Sequence, residues 1–318
     1  MKTYLIHRLI HSITILFGIS VLVFILVNLA PGDVVDAMFP PEAIVTPEAK
    51  AQMRHQLGLD QPLPVQYLRW LGRAVQGDFG YSMASRRPIS DVILERAPNT
   101  LLLVGGALVL SLILGIGTGV ISAVKQYSLI DYFVTLFAFT WLSIPGFFLG
   151  LLMIYFFAVR WNLFPAFGAT SADAAHPALD RLYHLVLPGT TLGLELTATL
   201  TRYTRASLLD VLHSDYMRTA RAKGLRERAV IIRHGLSNAL IPVITVVGFR
   251  LPYLLSGAVI IETVFQWPGL GLLTLDAAKH KDYPLIMALA LAVTIVVVVS
   301  SLLADLAYSL VDPRIRYG

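Results

Sequence analysis

The chain has no cysteine, and only 14% of its 318 residues are charged. The missing cysteines exclude disulfide frameworks, thiolate zinc sites, iron–sulfur clusters and cysteine nucleophiles. Soluble domains carry about 25% charged residues because water must solvate their surface. With 56% hydrophobic residues and a mean hydropathy of +0.70, this chain is too apolar for a soluble or a disordered protein. Composition therefore predicts that lipid is its outer solvent.

Several catalytic signatures are also missing. The sequence has no G-x-x-x-x-G-K-[ST] loop and no Gly-Lys pair, so we expect no ATP hydrolysis by this chain alone. It has neither G-x-S-x-G nor H-E-x-x-H nor a paired-aspartate motif in a span, which argues against an intramembrane enzyme. The eight histidines are scattered, and His7 and His11 beside Arg8 are typical of headgroup contacts. We expect no catalytic residue and no metal site. A formal net charge of +5 is too small to predict a nucleic-acid partner.

Long apolar runs predict an all-α integral membrane protein. A transmembrane helix needs about 20 mainly apolar residues. The first run follows Lys2 and is longer than the apolar core of a signal peptide. Pro145 should bend the third run, and the fourth is the least apolar because it contains Glu195 and several threonines. The six predicted spans are residues 9–29, 101–124, 132–159, 185–200, 240–261 and 285–306.

Basic residues predict the orientation of these spans. Residues 202–233 hold eight lysines and arginines against three acidic residues, which is typical of a cytoplasmic loop. Six spans then place both termini in the cytoplasm. The predicted parts are the N-terminus with the first span (1–30), an extracytoplasmic helical segment (31–98), and a five-helix core (99–318) that includes the cytoplasmic loop 202–236.

Capping signals predict short helices outside the spans. In the outer segment, Thr46 can begin a helix that Gly58 ends, and Pro64 can open a second one. The second would carry the apolar residues Val65, Leu68, Leu71 and Val75 on one side.

The cytoplasmic loop also contains a predicted short helix. Ser214 is a good N-cap, and Gly224 supplies the left-handed residue that ends it. Tyr216 and Ala220 share a face with Met217 beside them, so we expect an apolar ridge that another surface receives. The simpler alternative is a solvated or headgroup-bound basic loop.

The order of residues in this loop resembles a known family. The stretch DYMRTARAKGL (215–225), followed by His234, Leu236, Asn238 and Pro242, is similar to the EAA loop of permease subunits of binding-protein-dependent ABC importers. It most resembles the oligopeptide, dipeptide and nickel branch. Further matches run along the chain in the family's order: LGLDQPL (57–63), QY (66–67), GDFGYS (77–82), LP (187–188), TRASLLDV (204–211), GAVIIETVF (257–265), WPGLG (267–271), DYP (282–284) and DPRIR (312–316).

The resemblance implies a type I ABC importer permease fold and a set of partners. Two permeases, usually a heteropair, would work with two cytoplasmic ATPases that hold ATP and Mg, and with an extracytoplasmic substrate-binding protein. The chain itself would need no cofactor. The loop helix would dock in a groove of an ATPase, where Arg218 and Arg221 pair with acidic groups. The ATPase-coupling residues would be Asp215, Tyr216, Met217, Arg218, Thr219, Ala220, Arg221, Ala222, Lys223 and Gly224.

Two departures from the general pattern fit the peptide branch. The typical loop opens with an acidic residue where this chain has Arg218. Many members also place a proline where this chain has Ser237.

Two charges lie inside predicted spans. An ionised side chain at the centre of a span costs about 2.5 to 3.5 kcal/mol on insertion scales, so Glu195 and Arg250 should face protein or water. They either pair with each other or line the solute pathway, where Glu195 would meet an ammonium group and Arg250 a carboxylate. Trp267, Pro268 and Gly269 either form a turn between two spans or act as an outer gate that touches the docked binding protein.

We therefore predict a multi-pass permease subunit of the bacterial inner membrane that imports small peptides with energy from a separate ATPase. The same machinery with another cargo, such as a nickel chelate, glutathione or a sugar–peptide conjugate, is the nearest alternative. An ATP-independent transporter or channel is the alternative from another class.

Overall fold

A computed structural model of the chain describes residues 2–29 and 46–311. All regular secondary structure in these residues is helical, and one isolated β-bridge joins Tyr81 to Pro88. The helices are α1 (Lys2–Leu29), α2 (Pro47–Leu57), α3 (Leu63–Val75), α4 (Ile89–Val124), α5 (Leu129–Ser143), α6 (Gly146–Met153), π1 (Ile154–Arg160), α7 (Pro177–Leu212), α8 (Asp215–Ala222), α9 (Glu227–Ala229), π2 (Val230–Leu236), α10 (Ser237–Val264), α11 (Leu270–Lys279) and α12 (Tyr283–Val311).

The helices make the chain a multi-pass membrane protein. In the described residues, four helical runs are long and apolar enough to cross a bilayer: His7–Leu29, Ile89–Val124, Glu227–Val264 and Tyr283–Ala304. The pair Leu129–Ser143 and Gly146–Arg160 makes a fifth if it counts as one span. Predicted span 185–200 lies in α7, which is not among them. The number of six spans therefore stays a prediction.

The third predicted span is broken rather than continuous. The two halves of residues 132–159 meet at an angle of 107°, between the end of α5 at Ser143 and the start of α6 at Gly146. Pro145 lies at the break, where it has no N–H to donate to the preceding turn. The expected bend is confirmed, but the break is sharper than the kink that a proline inside one helix produces. The motif at 312–316 and residues 31–45 of the predicted outer segment lie outside the described residues.

One compact unit comprises residues 1–98 and 269–298. Its apolar core is formed by the buried residues Ile89, Leu270, Ala277, Leu285 and Leu289, together with Ala288. The buried Asp282 begins α12 as an N-cap. Its carboxylate accepts hydrogen bonds from the Ser82 hydroxyl (2.6 Å) and from the backbone N–H groups of Ala84 (3.2 Å) and Leu285 (3.3 Å). This carboxylate thereby ties the segment before α4 to the start of α12.

The short helices of this unit begin and end where their capping residues predict. Thr46 caps α2 by accepting a hydrogen bond from the Ala49 N–H at 3.3 Å, and Gly58 ends it with φ +70°. Helix α3 packs on α1 through Tyr67, whose hydroxyl lies 2.7 Å from that of Ser20, and through Trp70 against Phe24.

The predicted apolar side of α3 is not its packed side. Leu68 and Val75 are exposed, because the aromatic residues of the helix make the contact with α1. The aliphatic pattern thus predicted the wrong packed side, because Tyr67 and Trp70 make the contacts with α1.

The other unit comprises residues 99–268 and 299–318 and is organised around α7. Helix α7 is unusually polar for a buried element. Its buried threonines 191, 197 and 201 each donate a hydroxyl hydrogen bond to the carbonyl four residues earlier. These internal bonds satisfy the polar groups, so the helix can be surrounded by protein at low cost.

Glycines let α4 approach α7 closely. A Cβ placed on Gly115 would lie 2.7 Å from the Cβ of Leu200, and one on Gly119 would lie 2.6 Å from the Cβ of Thr204. The Ser111 hydroxyl also donates to the Gly193 carbonyl at 2.7 Å. Small residues at the crossing and a hydrogen bond between helices are the usual means of packing helices in membranes.

An ion pair between the buried Asp131 and the partly exposed Arg205 joins α5 to α7. Both oxygens of the Asp131 carboxylate accept hydrogen bonds from Arg205, at 2.7 Å from Nε and 2.8 Å from Nη2. The same carboxylate accepts bonds from the Ser122 hydroxyl and from the Tyr127 N–H. The Asp131 carboxylate therefore connects the end of α4, the start of α5 and the last turns of α7 through hydrogen bonds.

We predict that Asp131→Asn lowers the stability of the chain by about 3 kcal/mol, because it leaves the Arg205 guanidinium without its charge partner. The measurement is the midpoint of thermal unfolding of the detergent-solubilised protein. The double variant Asp131→Asn/Arg205→Met removes both charges and should recover most of the loss. A single variant as stable as the wild type would contradict this role.

Candidate functional site

The predicted loop helix is present as α8, with eight residues from Asp215 to Ala222. Ser214 occupies the N-cap position, but its hydroxyl donates backwards to the Val211 carbonyl at 2.6 Å rather than capping α8. Gly224 follows the helix with φ +73°, a conformation that glycine adopts without steric cost. The helix thus starts and ends at the expected residues, but the expected side-chain cap from Ser214 is not formed.

The apolar side of α8 packs against its own chain. Met217 is fully buried and Ala220 nearly so, and both form a cluster with Val230 of π2, flanked by Val211 and Leu212 of α7. The surface that receives Met217 and Ala220 is thus part of the same chain, and docking of α8 on an ATPase stays a prediction.

Gly235 leaves room for the Met217 side chain because it has no side chain of its own. A Cβ at Gly235 would lie 3.2 Å from the Cε of Met217, which is tighter than an ordinary van der Waals contact. The sequence offered no signal for this role, because a glycine inside a helical stretch has no side chain that points to a partner.

The exposed side of α8 carries the remaining predicted coupling residues. Tyr216 is 44% exposed, and Asp215, Arg218, Thr219, Arg221, Ala222 and Lys223 are exposed as well. Gly224 lies beyond them, also exposed. A partner that docks on α8 would therefore meet a mixed polar and aromatic surface with excess positive charge.

One of the two arginines expected to meet a partner is already paired within the chain. The Arg221 guanidinium donates to the Glu227 carboxylate, with Nη2 to Oε1 at 3.0 Å. This hydrogen bonding raises the pKa of Arg221 above its ordinary value. Arg218 lies 3.6 Å from Asp215, and both side chains are exposed. Arg218 is thus the more available of the two for an acidic partner, because Arg221 closes the turn between α8 and α9.

The helix after the turn is continuous into a membrane span. Residues Glu227–Ala229, the π-helical turns Val230–Leu236 and the α-helix Ser237–Val264 follow one another without a gap. The segment after Gly224 therefore leads directly into the fifth predicted span, residues 240–261.

Glu195 and Arg250 lie next to each other. Oε1 of Glu195 is 3.5 Å from Nη1 of Arg250, and the guanidinium carbon lies 5.5 Å from the ring centroid of Tyr253. The Glu195 side chain is 65% exposed, so the pair is open on one side rather than sealed in the core. The structure joins the two residues, and whether they also line a pathway stays a prediction.

A cavity of about 560 Å³ opens beside this pair, between α5, α7 and α10. Three arginines line it: Arg202 and Arg205 from α7 and Arg250 from α10. Sequence reasoning missed Arg202 and Arg205 as members of one site with Arg250. Their only signal was positive charge close to predicted spans, which was interpreted as a marker of orientation.

The turn at 267–269 is held firmly. Trp267 is fully buried, and its indole N–H donates to the Asn99 carbonyl at 2.9 Å. Asn99 in turn donates from its side-chain amide to the Pro268 carbonyl at 2.7 Å. Gly269 precedes α11, whose Leu273 N–H bonds to the Gly269 carbonyl at 3.2 Å. The turn is explained by these contacts, and a gating role stays a prediction.

Comparison with known protein families decides the identity of this arrangement. The family described as "Binding-protein-dependent transport system inner membrane component" matches residues 115–317, and its N-terminal counterpart matches residues 1–104. The chain belongs to this family of ABC importer permeases. It is a transport subunit and not an enzyme; the family works with separate ATPases and a second permease subunit.

Relatives of this permease match along its whole length. The oligopeptide transport system permease protein AppB of Bacillus subtilis is 45% identical over 318 residues, which is 100% of both chains. The glutathione transport system permease protein GsiC of Escherichia coli K12 is 43% identical over 321 residues, again 100% of both.

A solved structure agrees on the fold of this permease. A chain of the MetNI methionine ABC transporter, crystallised in inward-facing conformations, is 17% identical with a TM-score of 0.54. The match covers 70% of this permease and 96% of that chain. The expected type I ABC importer permease fold is thus confirmed.

We predict that Met217→Ala loosens α8 from the permease. Truncating a buried methionine costs about 2–5 kcal/mol, so the backbone amides of residues 215–223 should exchange hydrogen faster in the purified protein. Tyr216→Ala is the matched control, because Tyr216 is exposed on the same helix. Equal exchange in the two variants would show that Met217 does not anchor the loop.

Proposed function

We propose that this permease forms half of a solute pathway for small peptides and that α8 couples the pathway to a separate cytoplasmic ATPase. Three observations support the proposal: family membership, full-length similarity to an oligopeptide permease, and the placement of α8. The energy for transport comes from ATP and Mg bound by two partner ATPases, because the sequence has no phosphate-binding loop of its own.

The observation that carries the coupling role is the two-sided construction of α8. Its buried side, with Met217 and Ala220, fixes it to π2 and α7. Its exposed side, with Tyr216 and Thr219, is left for a partner. A force applied to this exposed side passes through Met217 into the helical run Glu227–Val264, which carries Arg250 in its middle.

The mechanism that follows is alternating access. ATP binding closes the two ATPases and draws the α8 helices of two permeases, most simply a heteropair, toward each other. That movement switches the pathway from inward-facing to outward-facing. Solute then enters from a substrate-binding protein docked on the outer side, where the turn at Trp267, Pro268 and Gly269 serves as a gate or contact.

The orientation follows from the basic residues of the loop. Residues 202–236 and both termini lie in the cytoplasm, residues 31–98 lie outside, and residues 99–318 form the core in the bacterial inner membrane. In this proposed topology, α8 belongs to the cytoplasmic loop and α3 to the extracytoplasmic segment.

Glutathione is the second candidate cargo. The observation that favours it is the 43% identity with a glutathione permease over the full chain. Glutathione is itself a small peptide with free carboxylates, so both candidates require a pathway that accepts a charged, flexible solute.

The absence of cysteine makes a cross-linking test clean, because one introduced cysteine is the only thiol of this chain. We expect Ala222→Cys, on the exposed side of α8, to cross-link to a partner ATPase through a short bis-maleimide in the assembled complex. Val75→Cys, which is 80% exposed on α3, is the matched control and should not cross-link to an ATPase. Cross-linking of neither or of both positions would contradict the proposed docking surface.

Reconstitution separates a coupled permease from an autonomous transporter. We predict that vesicles containing this chain alone accumulate no labelled peptide. The complex with the second permease, ATPases and binding protein should accumulate it only with ATP. Uptake by the single chain without ATP would establish an ATP-independent transporter or channel instead.

A further inference from the structure

The cavity between α5, α7 and α10 has a charge that its own residues do not balance. Arg205 is bound by both oxygens of Asp131, and Arg250 lies 3.5 Å from Glu195. Arg202 has no carboxylate within 4.0 Å in the part of the chain that the structure describes. Each of the other two arginines has one acidic partner, so the cavity retains one uncompensated positive charge at Arg202.

The Arg202 guanidinium stacks on an aromatic ring inside the cavity. Its guanidinium carbon lies 4.9 Å from the ring centroid of Phe139, so the aromatic face supports the flat group from one side. Thr199 and Tyr203 line the same cavity and add hydroxyl groups. A guanidinium presents a planar fork of N–H donors that matches a carboxylate with two parallel hydrogen bonds.

The depth of the cavity argues for a solute. Arg250 lies in the middle of the 28-residue helix α10, and it lines this cavity together with Arg202, which lies at the start of the predicted cytoplasmic loop. Charged side chains at such depth face protein or a watery cavity and mark solute pathways. A volume of about 560 Å³ also lies within the range of small-molecule sites.

Glu195 supplies the opposite charge on the same helix. It precedes Arg202 by seven residues, so the two share a face of α7 about 10 Å apart along the axis. An extended chain of three residues spans about 10 Å. The spacing matches the length of a short peptide, whose ammonium end would compete with Arg250 for Glu195.

We propose that Arg202 binds the terminal carboxylate of the transported peptide inside this cavity. The proposal rests on peptide transport as the function and adds the residue that recognises the solute's anionic end. Arg250 is the less suitable carboxylate ligand, because Glu195 already occupies its guanidinium.

The test compares a tripeptide with a free C-terminal carboxylate and the same tripeptide amidated at that end. Uptake of each is measured with the assembled importer in proteoliposomes, and the acid-to-amide ratio is compared between wild type and Arg202→Gln. The binding protein's own preference enters both ratios equally and cancels. We expect the ratio to fall about tenfold or more in Arg202→Gln, as loss of a charged hydrogen-bond pair implies.

Two further variants control for the position of the arginine and for its charge. Arg160→Gln changes an arginine at the end of π1 that does not line the cavity, and it should keep the wild-type ratio. Arg202→Lys keeps the charge without the planar fork, so its ratio should fall between those of the wild type and Arg202→Gln. If Arg202→Gln does not assemble, a wild-type ratio in Arg202→Lys overturns the proposal.

The outcomes distinguish this inference from the proposed function. A wild-type complex that imports neither peptide contradicts peptide transport itself. A complex that imports peptide but keeps its ratio in Arg202→Gln contradicts only the role of Arg202.

A lipid phosphate is the other source of a matching anion. Repeating the assay in phosphatidylcholine vesicles with and without phosphatidylglycerol separates the two. An Arg202→Gln defect that appears only with the anionic lipid, and equally for acid and amide, would assign the arginine to lipid and overturn the proposal.

Discussion

The burial of α7 is the constraint on which the rest of its unit depends. This helix carries Glu195, Arg202 and Arg205 together with several threonines, so it is too polar to face lipid over its length. Gly115 and Gly119 let α4 pack directly on it, and Asp131 binds Arg205 near its end. The buried threonines of α7 are covered by neighbouring helices, whereas Arg202 and Arg205 line the open cavity.

The same helix leads directly to α8, so the proposed coupling helix follows the helix that carries Glu195 and Arg202. Val211 and Leu212, at the end of α7, flank the cluster in which Met217 is buried. Val230 completes this cluster from π2, which continues into α10. Helix α8 thus contacts α7 directly and α10 through π2, and these two helices hold Glu195 and Arg250.

Local signals predicted much of this arrangement. Thr46, Gly58 and Gly224 mark helix ends because capping depends only on neighbouring backbone groups. The adjacency of Glu195 and Arg250 was one of two expected outcomes, because two opposite charges in apolar spans favour each other. The break at Pro145 was foreseen as a bend, but its angle depends on what the two halves pack against.

The sequence by itself determined that the chain lies in a membrane, where its helices start and stop, and which stretch is the loop. These properties follow from the transfer of apolar residues out of water and from hydrogen bonds between near neighbours. Only the tertiary structure decided that Met217 faces inward, that Arg221 is bound to Glu227, and that Arg202 is left without an acidic partner among the described residues. Each of these depends on which side chains the tertiary fold brings within contact distance, and the periodicity of a single helix carries no information about that.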